Sequence, residues 1–311
     1  MRAVMSESYG AMPEVRDVPE PSPRAGEVKV RVRASSLNGF DAKVAGGYLK
    51  GTMEHQFPVV LGKDFAGTVT EIGRGVSGFM PGEEVFGVVT KPVLGDGSFG
   101  EYVVVPEAIG LAPLPAGLDY VDAGVLGLAG VAALATVDAV APGHGETVLI
   151  SGATGGVGSY AVQLATARGA TVIATAEPGL RANLLRELGA AHTVDHRGDL
   201  AAQVRERVPG GVDGVVHLAG DPDVLAGLLA PGGRFASTLG VGADQLGDRD
   251  LAATAVNAIP DRIVLDQIAT EAAAGRLRTL IARTYRLDEV PQAFADFAGS
   301  GTVGKLAITI E

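Results

Sequence analysis

The sequence predicts an α/β protein in which a doubly wound parallel sheet is joined to a β-rich domain. Three observations predict it. Short β-type runs punctuated by Gly and Pro fill residues 1–118, strand and helix patterns alternate over 119–258, and a glycine-rich turn links one strand to one helix within the alternating part. At about 100–200 residues per domain, 311 residues hold two domains.

The elements follow in order. In EVKVRVRAS, Val28, Val30 and Val32 alternate with Lys29, Arg31 and Arg33, the period of a strand with one wet face. GTVTEIG, EEVFGVVT and GEYVVVP read the same way, so 1–118 is expected to be a β-rich substrate domain. From 119 to 258 the apolar runs 147–151, 171–175, 214–220 and 234–238 each precede a helical segment, the alternation of a parallel sheet covered by helices. After Pro260 come an amphipathic helix built on Ile263, Ile268 and Ala272, the strand-like LRTLIARTYRL, a short helix VPQAFADFA and a last strand GKLAITI. This tail, 259–311, has no sheet of its own and is expected to return to the N-terminal domain.

Composition removes several function classes. A net charge of −11 opposes binding to nucleic-acid phosphates or an anionic membrane surface. The absence of cysteine removes disulfides, thiolate-bound zinc, iron–sulfur clusters and a thiol nucleophile. Glu7, Glu14 and Asp17 stand where a signal peptide needs an apolar stretch, and the charge-free run 123–137 is shorter than the roughly 20 residues that span a bilayer. A cytoplasmic protein acting on small molecules is the expectation. The 45 glycines, about twice the usual share, belong to turns and close backbone approaches.

The most informative stretch is TVLISGATGGVGSYAVQLATARGATVIATAE. An apolar strand runs into Ser151, Gly152, Ala153, Thr154, Gly155, Gly156, Val157 and Gly158, a helix follows, and a second strand begins at Thr171. Glycines there let the backbone turn tightly and approach a diphosphate, whose charge sits on the free N–H groups at the helix N-terminus. Strand, turn, helix and second strand together give the context that a dinucleotide site requires. At the end of the second strand, Glu177 is placed to take the ribose 2′-hydroxyl of NADH, whereas Arg181 and His196 could meet the 2′-phosphate of NADPH. Glu177 can also be a solvated acid in the first turn of the next helix. His192 and His196 flank a strand and offer no helical metal face. A short-chain dehydrogenase is rejected, because no Tyr stands four residues before a Lys.

PVVLGKDFAGTVTEIGRGVSGFMPGEEVFG (58–87), GSFGEYVVVP (97–106) and the ending GTVGKLAITI resemble the medium-chain dehydrogenase/reductase superfamily. ATGGVGSYAVQLA and SSLNGFDAKVAGGYL resemble its zinc-free quinone oxidoreductase/zeta-crystallin branch. The resemblance implies a GroES-like β-rich domain, a Rossmann domain and a homodimer. Where zinc-dependent relatives carry a Cys ligand this chain has Asn38, and their Gly-His-Glu string reads Gly62, Lys63, Asp64, so no zinc is expected.

Reduction of a quinone or an α,β-unsaturated carbonyl is the reaction implied. The resemblance implies an Asn, an Asp and a Tyr near the nicotinamide, and Asn38, Asp41 and Tyr48 stand at the matching positions as catalytic candidates. Tyr48 or Lys43 is expected to hydrogen-bond the carbonyl or deliver a proton, and Asn38 to orient substrate or cofactor. Asp41 can equally cap its helix, Lys43 can be solvated and Tyr48 can pack a loop. The resemblance further implies cofactor contacts at Val131, Ala219, Gly220, Leu239, Gly240 and Lys305. Val131 stands where the branch often has Thr, and Glu177 where it often has Gly. Arg181, at a position that often carries a phosphate-binding Lys, tips the cofactor expectation to NADPH, with NADH as the alternative. An enoyl-thioester or polyketide-tailoring reductase and a non-catalytic NADP-binding structural or RNA-binding protein are the other readings.

Overall fold

The computed structural model describes residues 1–311 apart from Asp248 and Ser300. The chain forms two compact units: Met1–Leu128 with Ile259–Gly275 and Ile281–Glu311, and Ala129–Ala258 with Arg276–Leu280.

In the first unit the alternating strand is Glu27–Leu37, and Val28, Val30 and Val32 on its inner face are at most 1% exposed. Burying a valine side chain stabilises by about 1.5–3 kcal/mol, so this face anchors the β core. The sheet runs in the order Leu111–Pro113, Glu84–Val88, Asp64–Ile72, Glu27–Leu37, Lys305–Thr309, Ile281–Arg286, with Tyr102–Pro106 also paired to Glu27–Leu37. The C-terminal strand does return: Lys305–Thr309 pairs antiparallel with Glu27–Leu37, setting Leu306 opposite Leu37. Phe65, Phe99, Tyr285, Leu306 and Ile308 fill the core beneath it.

The second unit is a six-stranded parallel sheet in the order His192–Val194, Thr171–Thr175, Thr147–Ile150, Val212–His217, Leu229–Ser237, Leu251–Ala255. Numbered along the chain this is 3-2-1-4-5-6, the doubly wound Rossmann order. The chain reverses direction of winding between Thr147–Ile150 and Val212–His217. Ligands of such sheets bind beyond the carboxyl ends of the strands at that point.

Four features differ from the sequence expectation. The strand expected over 214–220 ends at His217, because His217 to Gly220 turn away under side-chain hydrogen bonds described below. Leu251–Ala255 is a strand that alanines concealed, lying half-exposed at the sheet edge. Ile263 is 80% exposed; the helix Arg262–Ala273 buries Leu265, Ile268 and Ala269, a stripe of three positions at i, i+3 and i+4. The run 123–137 lies inside a 21-residue helix, Tyr120–Val140, which continues through Asp122 and Asp138. Its mean hydropathy of 1.9 and its length would suit a bilayer, yet 78% of its most apolar window is buried in the fold.

The unit boundary also falls within that helix and not before it. Arg276–Leu280 lies with the second unit because the Gln163 amide clamps the Arg278 backbone: Nε2 donates to Arg278 O (3.0 Å) and Oε1 accepts Arg278 N–H (2.7 Å).

Candidate functional site

Two sets of residues carry chemistry, one in each unit. In the parallel unit the turn after Thr147–Ile150 contains Gly152 at φ +66°, a left-handed conformation open to glycine. Gly158 is required for a different reason: a Cβ there would meet Gly152 O at 2.3 Å and Ala153 Cα at 2.5 Å. The helix Gly156–Ala167 therefore starts pressed against the turn. Its ladder begins with Ser159 N–H donating to Gly155 O (2.9 Å), so the amides of Gly156, Val157 and Gly158 precede the ladder and emerge at the positive end of the helix. Gly155 has only Gly152 O within 4 Å of its Cβ position, which leaves the outer side of the turn open. These residues fit the diphosphate of a dinucleotide.

Side chains knit the neighbouring strand ends to the turn. Ser151 Oγ donates to Val216 O (3.3 Å) and accepts from Leu218 N–H (3.2 Å) and Ala219 N–H (3.5 Å). Thr175 Oγ1 accepts Gly152 N–H (3.0 Å). His217, 1% exposed, lies 3.1 Å from Gly220 O through Nε2 and 2.9 Å from Ser237 Oγ through Nδ1. A carbonyl only accepts, so Nε2 carries the proton and Nδ1 accepts from Ser237, whose oxygen in turn accepts Leu239 N–H (3.0 Å). Burial pushes His217 below its ordinary pKa, in keeping with a neutral ring. The expected contacts Ala219, Gly220, Leu239 and Gly240 thus sit on two turns fixed by His217 and Ser237, neither of which the sequence singled out. Val131 is 1% exposed on the helix Tyr120–Val140.

At the end of Thr171–Thr175, Glu177 Oε2 lies 3.4 Å from Arg181 Nη1 and Oε1 lies 3.5 Å from Arg197 Nη1. Arg197, a residue not anticipated, joins the group, and His196 beside it is exposed.

In the β-rich unit a buried polar cluster surrounds Asp64, which is fully buried. Asp64 Oδ2 accepts from Ser36 Oγ, Asn38 Nδ2 (2.8 Å) and Lys305 Nζ (3.4 Å), and Oδ1 accepts Leu128 N–H (2.7 Å). Gly127 permits the last contact, since a Cβ there would stand 2.7 Å from Asp64 Oδ1. Asn38 is engaged at both ends: Nδ2 also donates to Ser36 O (3.2 Å), and Oδ1 accepts from Lys305 Nζ. Asn38, expected to orient substrate or cofactor, has its amide cross-linking Asp64 and Lys305 in this structure. Lys305, expected as a cofactor contact, lies in the same cluster. Its ammonium is 4% exposed and its three protons face Leu37 O, Asn38 Oδ1 and Asp64 Oδ2 in its own unit.

Asp41 is 1% exposed in the helix Gly39–Ala45, where its Oδ2 accepts Asn38 N–H (2.8 Å) in a capping box. The cap and a raised pKa coexist. Desolvation by burial raises Asp41 to a pKa of about 7, with Asp64 reinforcing the rise and the Asn38 amide, Lys305 and Lys63 opposing it. Lys63 is pushed below its ordinary value by burial, donates to Val89 O, and lies 4.8 Å from the centre of the Phe40 ring. Asp41, Lys63 and Phe40 line a cavity of about 20 Å³, the size of one water. Lys43 is exposed and Tyr48 is 80% exposed, so neither joins this cluster.

The donor set at Asn38, Lys63 and Asp64 does not fit zinc. The amide and carboxylate are turned to protein donors and the ammonium offers no lone pair. Among the described residues no group of three His, Asp or Glu gathers as a metal site.

Residues 24–116 match the alcohol dehydrogenase GroES-like domain and residues 188–308 the zinc-binding dehydrogenase domain. An alcohol dehydrogenase superfamily protein from Novosphingobium aromaticivorans superposes with a TM-score of 0.86 at 30% identity, covering 100% of both chains. The chain belongs to the medium-chain dehydrogenase/reductase superfamily and is an oxidoreductase fold of the GroES-like and Rossmann type. The quinone oxidoreductase from Coxiella burnetii superposes with a TM-score of 0.90 at 26% identity over 100% of this chain and 99% of that one. Within the superfamily the chain lies in the quinone oxidoreductase branch. It is also 35% identical over 92% of its length to the spectinabilin polyketide synthase system protein NorB of Streptomyces orinoci, of which it spans 13%.

Proposed function

We propose that the protein is an NADPH-dependent, zinc-independent reductase of quinones or α,β-unsaturated carbonyls. The observation that carries this reading is the pair Asn38 and Lys63 at the metal-ligand positions of zinc-dependent relatives, bound into protein contacts. Without a Lewis acid an alkoxide has little support, whereas charge developing on a conjugated carbonyl oxygen needs hydrogen-bond donors alone.

Gly152 to Gly158 would hold the diphosphate, and Arg181 with Arg197 the 2′-phosphate. When bound, the reduced nicotinamide supplies the hydride. The protein's task is the proton and the oxygen. With a pKa of about 7, Asp41 retains its proton on a large share of molecules near neutrality. The Tyr48 hydroxyl and the Lys43 ammonium, both at the surface, are the proposed donors to the carbonyl. Asn38 acts by holding Lys305 and Asp64 in place.

A second reading, reduction of an enoyl thioester, is favoured by the 35% identity to a polyketide synthase system protein. The test is consumption of NADPH by the purified chain with a panel of quinones, simple enones and enoyl thioesters. Turnover of quinones or enones supports the first reading, and turnover of thioesters alone replaces it with the second. Inertness toward all three, or alcohol oxidation that tracks stoichiometric zinc, refutes both.

A further inference from the structure

Two lysines of the β-rich unit are withdrawn from water, and their ammonium groups are held differently. Lys305 has an acceptor for each of its three protons, Leu37 O, Asn38 Oδ1 and Asp64 Oδ2. Lys63 has one acceptor among the described residues, Val89 O. It lies 4.8 Å from the centre of the Phe40 ring, whose face attracts a cation without taking a proton from it. The nearby carboxyls are engaged elsewhere, that of Asp64 by Lys305 and that of Asp41 by the Asn38 amide. An ammonium carries three donors, so Lys63 keeps N–H groups that no acceptor among the described residues takes.

The group is also fixed in place. Lys63 O accepts Val89 N–H (2.7 Å) and Nζ donates to Val89 O, so backbone and side chain grip one residue. Gly62, at φ +104°, has atoms of Phe99 and Ser98 2.6 Å from where a Cβ would stand, which locks the backbone from which the lysine departs. Lys63 and Asp41 share the water-sized cavity with the apolar side chains of Phe40, Val44, Leu61 and Leu94. One oxygen atom fits such a space. Among apolar walls, a hydrogen bond from an ammonium to that oxygen is stronger than in water.

We propose that Lys63 is a catalytic residue: its spare N–H groups bind the carbonyl oxygen of a small, unhindered conjugated substrate in the space beside Asp41, and its charge holds the oxyanion that hydride addition creates. This rests on the reductase reading given above. The β-carbon takes the hydride, the C=C pair shifts to the bond between the α-carbon and the carbonyl carbon, and the C=O pair goes to the oxygen. A proton from Tyr48 or Lys43 then reaches the α-carbon, restores the C=O bond and releases the ammonium. Zinc-dependent relatives carry a metal ligand at this position, and here a fixed ammonium brings positive charge at the same point in the chain. Asp41, at a pKa of about 7, is protonated on a large share of molecules near neutrality, which leaves the charge of Lys63 for the substrate.

The test compares the full unmodified chain with Lys63→Met, Lys63→Gln and Lys63→Arg, with circular dichroism to confirm folding. Its first readout needs no cofactor: 4-nitrophenol, whose ionised oxygen mimics the enolate, is titrated with protein while the phenolate absorbance is followed across pH. On the unmodified protein the bound probe is expected to ionise about one pH unit below the free probe, a tenfold preference for the anion through a charge-assisted contact. The shift should vanish in Lys63→Met and Lys63→Gln and return in part in Lys63→Arg. The second readout is kcat/KM for an enone of the panel above, expected to fall about a hundredfold in the two neutral variants, as for the loss of one oxyanion donor. A probe that is not bound, that is bound better as the neutral phenol, or whose shift survives in the neutral variants overturns the proposal. A kcat/KM in Lys63→Gln within about twofold of the unmodified value does the same. If no conjugated carbonyl is turned over, the reductase reading falls and the catalytic role of Lys63 falls with it; if turnover is present and indifferent to Lys63, the role alone falls.

Discussion

Replacing Asp41 with Asn isolates the energetic consequence of burying this acid. Its carboxyl is raised from the ordinary 3.8 to about 7, first by desolvation and then by Asp64. A folded-state pKa above the unfolded one means that the folded protein holds the proton more tightly. The associated stability is fully present below about pH 4 and is lost as pH rises through about 7. Taking both values at face value, the loss totals about 4 kcal/mol by pH 8, of which about 2–3 kcal/mol falls between pH 5 and pH 8. Asn keeps an oxygen to accept the Asn38 N–H that Oδ2 now accepts at 2.8 Å. It therefore preserves the cap while removing the ionisation, at a cost of about 1 kcal/mol for its extra amide protons. Asp41→Asn should be near neutral or slightly stabilising at pH 5 and clearly more stable than the unmodified protein at pH 8. Urea unfolding, read by hydrogen exchange of the Glu27–Leu37 amides, follows the unit that contains Asp41. A stability difference that stays constant between pH 5 and pH 8 refutes the reasoning.

Gly158→Ala should abolish dinucleotide binding in a calorimetric titration and destabilise by about 1–3 kcal/mol, because its Cβ would lie 2.3 Å from Gly152 O; unchanged affinity contradicts the turn geometry. Lys305→Met leaves Asp64 buried without its cation and should cost about 3–5 kcal/mol in denaturant unfolding. Adding Asp64→Asn should recover part of that loss, and strict additivity of the two changes would disprove the pairing. His217→Ala removes the partner of both Gly220 O and Ser237 Oγ, for an expected cost of about 1–3 kcal/mol in the same assay. Tyr48→Phe, at a site 80% exposed, should shift stability by less than about 0.5 kcal/mol. A fall in enone turnover in that variant then reports chemistry, and full turnover in both Tyr48→Phe and Lys43→Met removes the two from the mechanism.

The glycine-rich turn was legible because its signal is local. Strand, turn and helix are consecutive, the demand on Gly152 is the positive φ of the turn itself, and that on Gly158 comes from Gly152 and Ala153, within six residues. The alternation of Val28, Val30 and Val32 gave the inner face of the long strand for the same reason. Ile263 was misplaced because helical periodicity gives a set of positions without saying which side meets the core. The edge strand Leu251–Ala255 escaped notice because its alanines pair through backbone alone.

The buried cluster shows the limit. Asn38, Asp41 and Lys305 were marked singly, yet Lys305 meets Asn38 across 267 positions and Asp64 across 241. A residue name carries no information about which distant group neutralises it.

The amino-acid order by itself determined the two-unit α/β plan, the returning tail, the glycine-rich turn and the lack of thiol ligands. Each follows from short-range periodicity, turn chemistry or composition. Only the tertiary structure decided that Asn38 and Lys305 are engaged with Asp64, that Asp41 is an acid tuned toward neutrality, and that Glu177 lies between Arg181 and Arg197. Those outcomes depend on desolvation and charge pairing between segments far apart in the chain, which exist once the sheets have brought them together.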